Sequence, residues 1–400
     1  MKTITGGRNV SWPKETIQSL HRLQALETTL KARFTGRDLV VDLLALAAVC
    51  QENLLVVGPP GTAKTEIIQQ FTTLVDTRGF HYLLTRFTEP TELFGPLDLE
   101  QFQKGTYHIR TEGMLPEAHI AFLDEVFQGS SAILNSLLAL LNERIFYNGA
   151  VRQRSPLLCM IGATNMLPED PSLRAFADRF SLRVEVDTVP EDRVGELLEQ
   201  GWDLEHGRIE RAKLLAEGKE PPRELRELQL KELLALHARL LEVDLKEIRP
   251  QYAQVIRELR AQGVDISDRR AVKGLKLVAG AALLREADEA APADFWPILH
   301  LWNRPEEADA IREVLEPKLE EVGHSLNGAA REVTEIMLEL GRLDDELPAQ
   351  RTSGARMAHL MALSRLRREV IVDHPRDDAA RQRIEATIRQ AMEQLEGADV

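Results

Sequence analysis

The sequence predicts an α/β fold, in which a parallel sheet carries a phosphate-binding loop and an all-α region follows. Three observations predict it. Gly58-Pro-Pro-Gly-Thr-Ala-Lys-Thr65 lies between the apolar run Leu54-Leu55-Val56-Val57 and Ile67-Ile68, which opens a helical pattern. His119-Ile-Ala-Phe-Leu-Asp-Glu125 is a second apolar run, and it ends in two carboxylates. From about Pro190 strand signals stop and helical periodicity takes over.

Residues 15–33 place Ile17, Leu20, Leu23, Leu26 and Leu30 at helical spacing. Gly36 and Asp38 interrupt, Asp38 being a candidate N-cap for a second helix through Val49. A strand at 53–57 then delivers the loop. In such a loop backbone N–H groups wrap phosphates, and the helix N-terminus adds the positive end of its dipole. Lys64 is expected to reach the β/γ-phosphates and the Thr65 hydroxyl to sit on Mg²⁺. Ala63 stands where the motif usually has glycine, so the backbone must accept one methyl group there. The following helix runs to about Val75, and a second strand is expected at 81–87.

Residues 88–118 are rich in turns, and Tyr107-His-Ile-Arg-Thr could add a short hairpin strand. The segment is either a surface excursion or a loop projecting toward a partner. The strand ending at Asp124-Glu125 has its carboxylates where ligands of parallel sheets bind. Asp124 suits holding Mg²⁺ through water, and Glu125 suits deprotonating an attacking water. Ser130 or Ser131 can cap the next helix, whose apolar stripe is Ile133, Leu134, Leu137, Leu138 and Leu141. Asn148-Gly149 marks a hairpin turn. Arg144, Arg152 and Arg154 flank it, facing a pore, a neighbouring subunit or solvent. Leu157–Ile161 is a buried strand leading to Gly162-Ala-Thr-Asn165, where Asn165 is placed to bond a γ-phosphate or the lytic water. A helix end at 175–180 and a final strand at 182–186 complete this half. Beyond it the pattern is helical, broken at Pro221-Pro222 and Pro250. Leu225, Leu228, Leu233, Leu236 and Leu240 form one stripe, Ser267 is a candidate cap, and a loop is expected near 347–355.

The hydrophobic fraction of 44% and charged fraction of 28% describe a soluble globular protein. No run is long enough for a membrane helix and no signal-peptide pattern opens the chain, so a cytoplasmic location is expected. Cys50 and Cys159 lie among apolar residues and are read as buried free thiols. The net charge of −14 is unevenly placed: residues 1–190 hold 18 basic and 21 acidic side chains, residues 191–400 hold 32 and 43. Such acidity disfavours nucleic acid as the main ligand, because phosphate contacts need a basic face.

In order, the phosphate loop, Phe122-Leu-Asp-Glu-Val126, Gly162-Ala-Thr-Asn165, Asp178-Arg-Phe180 and Ser267-Asp-Arg-Arg270 closely resemble AAA+ ATPases of the MoxR family, most of all its RavA-like branch. Ala63 strengthens the likeness, since MoxR-type loops commonly carry alanine there. The resemblance covers about residues 15–285. It implies an αβα core over 1–190 and a helical lid over 191–304; residues 305–400 read from their own amphipathic pattern as a further helical region with no assigned role. By matching position, Gly58, Pro59, Pro60, Gly61, Thr62, Ala63, Lys64 and Thr65 would bind ATP. Asp124 with Thr65 would hold Mg²⁺, and Glu125 would activate water. Asn165 would be sensor 1, Arg179 the arginine finger, with Arg174 as rival and Arg183 a weaker one, and Arg269 with Arg270 beside it sensor 2. The 88–118 and 145–155 segments resemble family pore-lining inserts. The resemblance further implies a homohexamer that remodels a client protein, assisting assembly or metal insertion with a von Willebrand A domain partner. Two other readings are a nucleic-acid motor related to minichromosome-maintenance helicases and a nucleotide-gated scaffold.

Overall fold

The computed structural model describes residues 12–168, 170–189, 191–219, 228–321, 333–346 and 378–396, with Leu363, Leu366, Arg367 and Val370 between the last two segments. Five parallel strands form the central sheet: β1 (Leu54–Val57), β3 (Gly79–Leu83), β4 (Ile120–Asp124), β7 (Cys159–Thr164) and β8 (Leu182–Glu185), in the order 3-4-7-1-8. The three central strands are buried along nearly their whole length, which is why they read as continuous apolar runs rather than alternating ones. Helices α1 (Lys14–Arg33), α2 (Asp38–Cys50), α3 (Lys64–Leu74) and α6 (Ser131–Glu143) flank the sheet. Eleven of the thirteen residues of α2 are buried, as a helix apolar on all sides requires.

Ser130 caps α6 by accepting the Ile133 N–H at 3.4 Å. Asp38 caps nothing: it is the first helical residue, and Arg37 occupies the N-cap position without a side-chain bond to the helix. The expected 81–87 strand lies at 79–83, because its partner β4 ends at Asp124 and the chain turns away after the Leu84 N–H bonds the Asp124 carbonyl at 2.9 Å. Both cysteines are buried free thiols, and burial pushes each up to about 12.

Two excursions leave the sheet and meet each other. One carries the short helices α4 (Pro90–Phe94) and α5 (Leu99–Gln103); the other is the hairpin β5 (Ile145–Asn148) and β6 (Val151–Arg154). The Tyr107 run forms no strand beyond a single bridge between Leu97 and Ile109. Instead the Asn148 side chain closes on Ile109, its Oδ1 accepting the backbone N–H at 2.6 Å and its Nδ2 donating to the carbonyl at 2.9 Å. Phe94 stacks on Phe146 beneath this clasp at 5.5 Å.

After the sheet come α8 (Val194–Ala216), α9 (Leu230–Arg239), α10 (Ile248–Ala261), α11 (Asp268–Leu284) and, after a 3₁₀ segment at Pro292–His300, α12 (Glu306–Glu321). Pro250 falls in the first turn of α10, where a missing N–H removes no intrahelical bond. Ser267 caps α11 by accepting the Arg270 N–H at 3.3 Å. One short strand interrupts the helical half among the described residues: β9 (Leu228–Gln229), which pairs with β2 (Val75–Asp76) beside the phosphate-loop helix. Two residues are too few to leave a periodic signal. Pro221-Pro222, Leu225 and the 347–355 loop lie outside the described residues. Helix α13 (Val333–Glu346) and a last helix, Asp378–Glu396, share a separate small core of Ile336, Leu340, Leu363, Leu366, Val370, Ala380 and Ile384.

Candidate nucleotide site

The loop between β1 and α3 is held by contacts that only its own residue types permit. Gly58 lies so close to β8 that a Cβ there would stand 2.1 Å from the Val186 carbonyl oxygen. Gly61 has φ +83°, and the Thr62 hydroxyl donates to the Pro59 carbonyl at 2.9 Å. Arg37 braces the loop from outside. Its Nε donates to the Thr62 carbonyl at 3.1 Å and its Nη2 to the Asp187 carbonyl at 2.8 Å, so the loop and the end of β8 share one guanidinium.

Ala63 is left-handed, with φ +61°. An L-residue there costs about 1–2 kcal/mol relative to the right-handed helix, while glycine gives up about 0.4–1 kcal/mol of unfolded-chain entropy. Ala63→Gly is therefore expected to stabilise the protein by about 0.5–1 kcal/mol in thermal unfolding. A loss of stability would show that the methyl group packs to advantage.

Lys64 opens α3 with its Nζ turned into the loop, donating to the Gly58 and Pro59 carbonyls at 2.6 and 2.7 Å. Burial lowers its pKa; Asp124 and Glu125 oppose that shift and Arg37 adds to it. The Thr65 hydroxyl donates to Asp124 Oδ2 at 2.8 Å, which brings the two expected Mg²⁺ oxygens together. These are hard oxygen donors in the number Mg²⁺ takes from a protein when phosphates and water supply the rest. No cluster of three or more His, Cys, Asp or Glu able to hold a metal occurs among the described residues, so protein ligands alone do not complete such a site.

Glu125 follows β4 in a left-handed conformation, φ +49°, its N–H bonded to Asp124 Oδ1 at 3.0 Å. Its Oε1 accepts from Asn165 Nδ2 at 2.6 Å. The bond is possible because β4 and β7 are neighbours and end side by side. Gly162 makes room below: a Cβ there would sit 3.0 Å from the Phe180 ring and 3.1 Å from Val126. Burial raises the Glu125 pKa, nearby Asp124 adds to the rise, and Lys64 opposes it. Lys64, Thr65, Asp124, Glu125 and Asn165 thus converge at the strands' carboxyl ends.

The other expected site residues gather at the opposite end of the sheet. Arg179 precedes β8, whose first residue pairs with Leu54, the start of β1. There Asn53 donates to the Arg179 carbonyl at 3.0 Å and accepts the Met160 N–H at 3.0 Å, tying three strand starts together. Arg179 Nη1 donates to Asp178 Oδ2 at 3.3 Å, while its buried Nε has no partner among the described residues. Burial lowers its pKa and nearby Arg269 lowers it further, against Asp178. Arg269 is exposed and donates to Asn142, near the end of α6, at 3.0 Å. Arg270 is buried. It bonds Asp178 Oδ1 at 3.0 Å and the Leu301 and Trp302 carbonyls at 2.9 and 3.2 Å. Neither α11 arginine joins the loop of its own subunit, because that helix packs against α2 and the 292–300 segment rather than over the phosphate loop. Arg174 on α7 (Pro171–Ala177) is exposed, its side chain without a partner among the described residues. Arg183 is buried, its guanidinium bonded to the Ala177 and Asn303 carbonyls.

Arg144 is half-buried and its guanidinium turns inward. Its Nη2 donates to the Leu158 and Gln51 carbonyls at 2.8 and 3.3 Å, closing the strand starts beside Cys159. Arg152 and Arg154 are exposed on the hairpin, Arg152 stacking 5.8 Å from the Tyr147 ring centroid. Arg37, Asn53 and Glu52, which is buried and accepts from Lys273 Nζ at 2.6 Å and from the Ser181 hydroxyl at 3.0 Å, carry structural weight that their local sequence does not announce. The one signal for the last two was a polar pair directly before a buried strand.

A phosphate loop facing paired carboxylates, on a parallel sheet of this order, defines a P-loop nucleotide-binding protein. The family model described as the MoxR domain in the MoxR-vWA-beta-propeller ternary systems matches residues 21–229, and an AAA lid domain matches residues 242–315. Two uncharacterized proteins of Methanocaldococcus jannaschii are each 33% identical, over 71% of this chain and 72% and 70% of their own. A crystal structure described as a candidate ATPase from Cytophaga hutchinsonii shares the fold with TM-score 0.58 at 15% identity, over 76% of this chain and 96% of that one. The chain belongs to the MoxR family of AAA+ ATPases. The matched description names MoxR-vWA-beta-propeller systems; it does not name the RavA-like branch.

Proposed function

We propose that this protein hydrolyses ATP in a homohexameric ring and uses the turnover to remodel a client protein. One observation carries the reading: the arginines expected at the reacting phosphate, Arg179 and Arg269, lie at the end of the sheet opposite the loop of their own subunit. A head-to-tail contact between identical subunits brings one end against the other, and repetition closes a ring. In this reading the loop residues and Lys64 cradle the phosphates, and Glu125, held by Asn165, takes the proton of the attacking water. Thr65 and Asp124 would hold Mg²⁺, which supplies neutralising charge at the phosphates.

The MoxR–vWA description of the matched family supports a von Willebrand A domain partner. Assembly of the client or metal insertion into it is the output this reading assigns. No helix among the described residues is long and apolar enough to cross a membrane. The nucleic-acid motor loses part of its basis, since the half-buried Arg144 is taken up by backbone carbonyls and leaves Arg152 and Arg154 as the exposed arginines of the hairpin. A shared site makes specific activity depend on assembly. ATPase rate per subunit should rise with protein concentration and level off where light scattering reports full rings. A rate per subunit independent of concentration, in samples that pass from monomer to ring, would count against it.

A further inference from the structure

The connection between α7 and β8 is held from both sides by arginines that make no contact with the phosphate loop. From β8, Arg183 reaches back to the Ala177 and Asn303 carbonyls. From α11, Arg270 reaches the Leu301 and Trp302 carbonyls and, at 3.0 Å, one oxygen of Asp178. The other Asp178 oxygen accepts from Arg179 at 3.3 Å. One carboxylate is therefore shared between a fully enclosed guanidinium of the helical region and the half-buried one at the end of the core. Arg269 lies close enough to act electrostatically on Arg179, and Asp178 supplies the opposing charge.

We infer that Asp178 is a positioning residue, whose carboxylate ties Arg179 to Arg270 and so couples the rate at the neighbouring subunit's nucleotide to the seating of α11 on its own core. The inference rests on the reading that Arg179 serves the neighbouring site. A displacement of α11 pulls on Asp178 through Arg270, and Arg179 moves with it. The Arg179 backbone stays anchored through Asn53, so the guanidinium swings rather than the whole segment. Charged, hydrogen-bonded pairs of this kind hold geometry more than they add stability, because desolvation offsets much of the attraction.

Asp178→Asn keeps the shape and turns an amide toward one of the two guanidiniums. Its kcat should fall about ten- to a hundredfold, while the affinity of its own loop for a non-hydrolysable ATP analogue and the ring mass stay unchanged. Mixed with Lys64→Ala subunits, whose loop is disabled and whose Arg179 is intact, it should recover activity. The double variant Asp178→Asn/Arg179→Ala should be no slower than Arg179→Ala alone, since residues acting through one another are not additive. If Arg179→Ala itself leaves the rate unchanged, the shared-site reading fails. If Arg179→Ala is slow but Asp178→Asn is not, or if the mixture shows no recovery, the positioning role fails alone. Should Asp178→Asn not fold, Asp178→Glu keeps the charge, displaces the carboxylate by one methylene and carries the same comparisons.

Discussion

Replacing Arg179 by alanine is expected to lower ATP turnover by roughly 10³–10⁵-fold, or about 4–7 kcal/mol of transition-state stabilisation, while ATP still binds. The size follows from where the group acts: a guanidinium that arrives from another chain contributes mainly where charge develops on the transferring phosphoryl. Its own loop, at the far end of the sheet, should keep its affinity. Mixing Arg179→Ala with Lys64→Ala subunits places intact loops against intact arginines at some interfaces, so part of the activity should return. Mixed rings verified by mass that stay inactive would remove Arg179 from the shared site. The exposed Arg174 is then the next arginine to test.

Glu125→Gln is expected to lower turnover by about 10²–10⁴-fold, the range of a general base, with nucleotide binding retained. The glutamine can still accept from Asn165 but cannot take a proton. Residual turnover within tenfold of the parent would sink the assignment. The pH dependence has a definite sign. A base works only when deprotonated, so turnover should fall as pH drops through the Glu125 pKa. Burial and Asp124 raise that pKa, which moves the fall upward from where an ordinary glutamate titrates. The folded protein also binds this proton more tightly than the unfolded chain does. Protonation of Glu125 therefore adds stability at low pH that is lost as pH rises through the raised value. Glu125→Gln, which cannot ionise, should raise the melting temperature at neutral pH while removing activity. A drop in melting temperature would mean that the carboxylate serves the fold.

The loop end of the sheet was legible in the sequence because its candidate site residues follow buried strands. Lys64, Asp124, Glu125 and Asn165 each come within a few residues of a continuous apolar run, and parallel strands deliver their carboxyl ends to one place. The arginines were not legible in the same way. Arg144, Arg179, Arg183 and Arg270 differ in burial and partners, yet nothing in their local sequence separates one that binds backbone carbonyls from one facing outward. That distinction depends on which carbonyls the fold leaves unpaired nearby, a property of distant segments such as 301–303. The same holds for β9, whose only reason to be a strand is the edge offered by Val75-Asp76. Asp38 shows the converse: a good capping residue stands one position inside the helix, because Arg37 is needed at the N-cap position to brace the loop.

The clasp between Asn148 and Ile109 has a mechanical meaning. An amide side chain that engages both the N–H and the C=O of one residue behaves as a strand partner, and it binds the helical excursion to the hairpin. Gly149 lets the turn lie against the Tyr107 carbonyl, where a Cβ would come within 2.4 Å. Two excursions are thereby spliced into one lever with separate roots in the sheet. A load applied at the exposed Phe102 or Tyr147 is divided between both roots. Neither arm can yield alone until two hydrogen bonds, each worth about 1 kcal/mol, have broken.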